Sequence, residues 1–165
     1  MSEIIECDFG SLTKAYRDGI KFFVDKDDYG RFVKGYSFAM NNYGYAQYSS
    51  TKDGLCHKLL HRVIMGNPED MVIDHVNRDK LNNCRSNLRI CTNQQNQMKR
   101  GKSKNNKTGV IGVSWHKSSE KWQATIRLNN KEIYLGCFDD LEDASQARKE
   151  AEIKYFGEFR NKDGE

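Results

Sequence analysis

Residues 101–109, GKSKNNKTG, contain no apolar side chain. The run has nothing to contribute to a hydrophobic core, and it reads as a flexible charged connection with a domain boundary in it. Cutting a 165-residue chain there leaves modules too small for a large core. Only 37% of residues are hydrophobic and 30% are charged, so each module gains from a bound polyanion or partner. No apolar run approaches the roughly 20 residues of a membrane span. The acidic start MSEIIECD lacks the basic and apolar regions of a signal peptide. A cytoplasmic protein with no membrane partner is expected.

The net charge of +4 conceals a polarity. Residues 1–60 hold 8 basic and 8 acidic side chains, 61–97 hold 5 and 4, 98–127 hold 8 and 1, and 128–165 hold 6 and 10. The basic block in the middle has the electrostatic footprint of a phosphate-backbone contact. Its cations there and just before it, Arg78, Lys80, Arg89, Lys99, Arg100, Lys102 and Lys104, are the candidates for it. The five cysteines are odd in number and form no C-x-x-C pair, which argues against a disulfide framework or a zinc ribbon. They read as reduced, mostly buried thiols. A weaker zinc reading pairs His57 and His61, spaced i,i+4, with Cys84 and Cys91.

Before the connection, aromatic-rich runs within 18–50 (GIKFFV, GYSFAM, GYAQYSS) predict a small antiparallel sheet. The period then changes. CHKLLHRVIM, from Cys56 to Met65, places Leu59, Leu60, Val63 and Ile64 on one helical face and ends at Gly66-Asn67-Pro68. Residues 71–75 and 87–91 read as strands around a polar loop, 76–86, and Thr92 as the cap of a helix reaching Arg100. After the connection, 112–116, 121–128 and 131–138 read as three strands joined by turns at Ser118-Ser119 and Asn129-Asn130. A helix capped by Asp139 or Asp140 follows, with Leu141, Ala144, Ala147, Ala151 and Tyr155 on its inner face.

Segment 73–96, IDHVNRDKLNNCRSNLRICTNQQN, concentrates acid, imidazole and amide groups on a strand-loop-strand-helix. Cutting a phosphodiester needs an activated water and a cation to offset charge on the phosphate and leaving oxygen. Asp74 and His75, adjacent on one strand, point to opposite faces and can divide those tasks. Asp74 would turn to a metal ion, and His75 would act as general base, since neutral imidazole takes a proton near physiological pH. Asn96 is the candidate second metal ligand, and Asn87 is placed to hold the loop backbone and the histidine-bearing strand. One carboxylate and one amide leave most of an octahedral shell to water and phosphate, which suits Mg²⁺ or Mn²⁺.

Together LHR (60–62), DH (74–75), the Asn-rich loop, SNLR (86–89) and T-N-x-x-N (92–96) resemble the HNH, more narrowly His-Asn-Asn, ββα-metal endonucleases of the phage homing type. The resemblance implies that Asp74 and Asn96 bind one divalent ion, that His75 activates water, and that Asn87 orients the loop. Asparagine stands where the family name puts its last histidine, a variation that favours Mg²⁺ or Mn²⁺. Phage encoding and host-cell cytoplasm follow from this resemblance alone.

Residues 109–159 resemble an APETALA2-type DNA-binding domain, through G-V-S-W, K-W-x-A-x-I-R, Y-L-G-x-F, the acidic turn and the A-x-x-A helix. That fold lays a three-stranded sheet in the major groove, backed by one helix. Alternation puts Val113, Trp122, Ala124, Ile126, Ile133 and Leu135 on the helix. It turns Ser114, His116, Gln123, Thr125, Arg127 and Tyr134 the other way, as DNA contacts. Arg127 suits a bidentate bond to guanine or a phosphate. Ile111, Ser114 and His116 stand where plant members carry arginines, so their sequence preference does not transfer.

The expected architecture is α+β: an N-terminal sheet and helix, a ββα-metal nuclease core, and a C-terminal three-stranded sheet packed on one helix. The expected parts are residues 1–55, 56–100, 101–109 (basic linker) and 110–160. The expected protein is a monomeric endonuclease that nicks double-stranded DNA, with one divalent ion and no small-molecule cofactor. The rival is a DNA-binding regulator without cleavage activity.

Overall fold

The computed structural model describes residues 2–11, 13–49, 52–99, 101 and 106–160. Its mixture of short helices and small antiparallel sheets, 31% helix and 31% strand, is the expected α+β class. The chain divides into two compact units, Met1–Thr92 and Asn93–Glu165.

In the first unit β1 (Ile4–Asp8) pairs antiparallel with β2 (Lys21–Asp25), and a short helix, α1 (Lys14–Arg17), lies between them. The side-chain hydroxyl of Thr13 caps α1 by accepting from the Tyr16 N–H. After β2 the chain turns through α2 (Lys26–Asp28) into a π-helical turn, Tyr29–Val33. A second ladder joins β3 (Phe38–Met40) to β4 (Ala46–Tyr48). The expected N-terminal sheet is thus two separate two-stranded ladders. One of them recruits residues 4–8, whose acidic side chains hid an extended run from the aromatic pattern.

The expected helix from Cys56 is shortened to α3 (Leu60–Ile64). His57 has φ +63° and Leu59 is extended and bridged to Gln47, so helical geometry cannot begin earlier. β5 (Val72–His75) and β6 (Leu88–Cys91) then pair antiparallel, with His75 opposite Leu88.

One apolar cluster runs through all of these elements but α2. Phe22, Phe38 and Tyr48 stack in series, with ring centroids 5.1 and 4.6 Å apart. Leu60 and Ile64 of α3, Ile73 of β5 and Leu88 of β6 are buried in the same cluster. Residues before position 55 and the strands that carry the Asp-His pair therefore share one core. A buried Phe or Leu stabilises such a core by about 1.5–3 kcal/mol.

The second unit opens with α4 (Asn93–Met98), followed by β7 (Val113–His116), β8 (Lys121–Leu128) and β9 (Lys131–Phe138) in the order β7-β8-β9. α5 (Leu141–Phe156) packs on that sheet. Val113, Ala124 and Ile126 are buried toward the helix residues Ala144, Ala151 and Phe156, and Trp122, Ile133 and Leu135 are half-buried there, as alternation predicts. Asn129 and Asn130, both at positive φ, make the expected β8–β9 turn.

Two features of this unit were not anticipated. A bulge after Ala124 lets β9 slip one residue, so Thr125 faces Tyr134 while Ala124 faces Gly136. The inner face of α5 also holds a cation. Arg148, 6% exposed, donates from Nη1 to the Thr125 carbonyl (2.5 Å) and from Nε to Glu152 (2.9 Å). Gly112, at φ +72°, leaves the space that this guanidinium fills.

Candidate active site

Asp74, His75 and Asn87 are all buried, at 7%, 4% and 7% exposure. Burial of three polar side chains in and beside one strand pair needs partners to offset lost hydration, and the structure shows where they come from.

Asn87 sits in a 3-10 turn, Arg85–Asn87, immediately before β6. Its Oδ1 accepts from the Asn77 N–H (2.9 Å) and its Nδ2 donates to the Asn82 carbonyl (2.7 Å). One amide thus clasps the loop at both ends. The Asn87 carbonyl also accepts from the Val76 N–H (2.8 Å), and the His75 carbonyl accepts from the Arg78 N–H (2.9 Å). The turn after His75 is thereby closed, with Arg78 at φ +65°.

The rest of the loop is a relay of side-chain turns. Asn77, Asp79 and Asn82 each accept from the backbone N–H two residues on, at Asp79, Leu81 and Cys84. The loop is then bolted to β2. Phe23 N–H donates to the Leu81 carbonyl and Asn83 N–H to the Phe23 carbonyl, both at 2.8 Å. Asp25 accepts from the Arg85 N–H (2.7 Å), and Asp28 accepts from Arg85 Nη2 (2.8 Å).

His75 lies in an aromatic nest. His61 meets it edge-on with ring centroids 5.0 Å apart, and Tyr45 lies 5.0 Å from His61 and 5.7 Å from His75. Burial, helped by His75 and Arg62, pushes the His61 imidazole down to about 4. Burial, helped by the Asp74 carboxylate, pushes the Tyr45 hydroxyl up.

Asp74 faces Arg89 across the β5–β6 ladder. The guanidinium reaches the same carboxylate oxygen twice, Nε at 2.9 Å and Nη2 at 2.8 Å. Arg89, expected as a DNA contact, is therefore engaged inside the fold. Lys80, another expected contact, donates to the Tyr43 carbonyl (2.9 Å) and lies over the Tyr45 ring. Arg78 is exposed on the loop, Asn96 is exposed on α4 in the second unit, and Lys99 is half-buried just beyond that helix. Arg100, Lys102 and Lys104 lie outside the described residues.

The zinc reading is overturned. Among the described residues no three His, Cys, Asp or Glu side chains gather in a way that could hold a metal ion. His57 is exposed in a left-handed turn whereas His61 is buried in the nest, so the i,i+4 spacing never forms a helical pair. None of the five cysteines is in a disulfide; Cys7, Cys84 and Cys91 are buried, and Cys56 and Cys137 half-buried.

On the second unit's sheet, Ser114, His116, Arg127 and Tyr134 are exposed, and Thr125 and Gln123 are half-buried. The Arg127 side chain is 72% exposed, with Glu132 4.0 Å away. His116 meets the hydroxyls of Ser118 and Ser119 at its hairpin. Among the described residues no helix is long and apolar enough to cross a membrane.

Sequence reasoning missed Tyr45 and His61 as neighbours of His75, and Asp25 and Asp28 as anchors of the loop. The Asp74–Arg89 pair was accessible in principle, because pairing strand 71–75 with strand 87–91 sets the two residues opposite one another.

Residues 58–98 match the HNH endonuclease family model, so the chain carries a domain of that family around this site. The chain is 31% identical over 130 residues, 77% of its length, to a protein of Acanthamoeba polyphaga mimivirus named as an uncharacterized HNH endonuclease. It is 32% identical over 75 residues, 46% of its length, to Protein 3.8 of Escherichia phage T7. The chain spans 66% and 62% of these relatives' own lengths. No solved structure matches it.

Proposed function

We propose that this chain, with an HNH endonuclease family domain at residues 58–98, is a divalent-metal-dependent endonuclease that hydrolyses DNA phosphodiester bonds. The observation that carries the reading is the Asp74-His75 pair at the end of β5, held by the Asn87 clasp inside the segment that matches the family.

The donor set fits a hard, hydrated cation. Asp74 offers one carboxylate within the matched segment, which suits Mg²⁺ or Mn²⁺ completed by water and phosphate. A divalent ion there would offset charge on the phosphate and leaving oxygen. His75 takes the proton of the attacking water at a ring nitrogen. Asn87 keeps the turn after His75 closed, so the imidazole does not drift with the loop.

The second unit is the duplex-binding part in this reading, an APETALA2-type module. Ser114, His116, Thr125, Arg127 and Tyr134 face the DNA, and Arg78, Lys99, Arg100, Lys102 and Lys104 follow the phosphate backbone. A monomer with one such site meets one scissile phosphate at a time and nicks, as a homing-type enzyme of viral origin could.

The test is a supercoiled-plasmid assay with wild type and His75→Ala, in Mg²⁺, in Mn²⁺ and in excess chelator, together with duplex binding. Metal-dependent nicking lost in the variant, with binding kept, supports the reading. Binding without cutting in any metal, by wild type, assigns the chain to the regulator class instead.

A further inference from the structure

The Asp74–Arg89 pair bears on how the proposed metal site is loaded, and the inference rests on the reading of Asp74 as a metal ligand. Two donors of one guanidinium converge on one carboxylate oxygen, at 2.9 and 2.8 Å, with side-chain exposures of 16% and 8%. Convergence fixes the rotation of the carboxylate, because turning it would break both contacts at once. It also cancels the charge of Asp74 at close range, in surroundings that screen little.

Among the described residues no three His, Cys, Asp or Glu side chains gather in a way that could hold a metal ion, and the reading gives the ion one carboxylate, Asp74. The protein thus brings a divalent cation a carboxylate whose charge is already matched. Magnesium-type ions bound through one or two carboxylates rely on substrate phosphates for the rest of their charge balance.

We propose that Arg89 is a positioning residue that makes metal loading conditional on DNA: it orients the Asp74 carboxylate and, by matching its charge, keeps divalent ions weakly bound until a DNA phosphate joins the site. Metal and DNA then load together, and by linkage each tightens the other by the same factor, typically about 5–150-fold.

The experiment follows Mn²⁺ binding by electron paramagnetic resonance, with and without mixed-sequence duplex DNA, in the full chain. It compares wild type, Arg89→Gln, Arg89→Met, Arg89→Lys and Asp74→Ala, with thermal melting as the check on folding. Arg89→Gln keeps a donor for Asp74 without the charge, so it reports even where Arg89→Met fails to fold. The expected result is DNA-free Mn²⁺ binding tightened at least about tenfold in Arg89→Gln, with Arg89→Lys close to wild type. A residue that merely props the strand would give weaker binding in each case. Unchanged or weaker Mn²⁺ binding in Arg89→Gln overturns the inference and leaves the metal site standing. Mn²⁺ binding that survives in the double variant Asp74→Ala/Arg89→Gln shows that the ion is elsewhere, and both readings fall.

Discussion

The imidazoles of His61 and His75 meet edge to face with centroids 5.0 Å apart, and His61 is 4% exposed. Its Nδ1 has no hydrogen-bond partner among the described residues. A proton arriving at His61 would therefore be poorly solvated and would sit beside another imidazole.

Stability should reflect this. His61 is held down at about 4 in the folded chain against 6.5 when unfolded, by burial first and then by His75 and Arg62. Between those values the unfolded chain binds a proton that the folded chain refuses, so stability falls as pH drops from 6.5 toward 4. The full contribution is about 3 kcal/mol. Urea midpoints of wild type and His61→Phe across pH 4–7 check it: the variant should show the shallower slope, and equal slopes would refute the assignment.

The Asn87 clasp predicts an asymmetry between two substitutions. Asn87→Ala removes both loop bonds and leaves the Asn82 carbonyl and Asn77 N–H to find water, a loss of about 1–3 kcal/mol. Asn87→Asp keeps the acceptor for Asn77 but sets an oxygen against the Asn82 carbonyl, and should be no less damaging. Denaturant titration together with amide exchange at Val76, Asn77 and Arg78 decides, and unchanged protection there in both variants would contradict the clasp.

Gly112→Ala should cripple the second unit. A Cβ there would collide with the Thr125 carbonyl and come within 2.6 Å of Arg148 Nη1, on a backbone at φ +72°. Several kcal/mol of destabilisation are expected from displacing a buried cation that carries two hydrogen bonds. Two-dimensional NMR of the variant should show β7, β8 and α5 resonances shifted or collapsed; a spectrum like wild type apart from residue 112 would disprove the close fit.

Thiol chemistry should separate the cysteines into classes. Burial pushes Cys7 and Cys84 up to about 11, with acidic neighbours adding to the effect, so neither is an effective nucleophile at neutral pH. Cys56 and Cys137, half-buried, should react first with Ellman's reagent in the native protein. Labelling of Cys84 as fast as Cys56, located by peptide mapping, would count against the buried loop core.

How far the sequence could be read differs between the two units for a physical reason. In the second unit, alternation along 121–128 and 131–138 assigned the buried face residue by residue, because an antiparallel sheet on one helix has a strict period. The bulge at Ala124 and the Arg148 guanidinium escaped it, since a local register slip and a buried cation leave no periodic trace. In the first unit the Asp74-His75 strand and Asn87 were legible because their neighbours in space are neighbours in sequence. The Tyr45–His61–His75 nest and the Asp25 and Asp28 anchors were not, as each joins residues 14 to 60 positions apart. Arg89 could have been placed, had the register of the two strands been drawn and the cation not been assigned to DNA on charge alone.

The bonds from the Asn-rich loop back to Phe23, Asp25 and Asp28 bear on how a chain like this can be rearranged over time. A segment cut at position 56 would carry the Asp-His pair away with its loop backbone unsupported and half its core missing. Recombination that swaps the sheet-and-helix module at the other end breaks no bond of that loop to β2. The Asp-His pair and the residues that hold its loop are inherited as one block, within residues 1–92, while the sheet-and-helix module can be exchanged without touching those bonds.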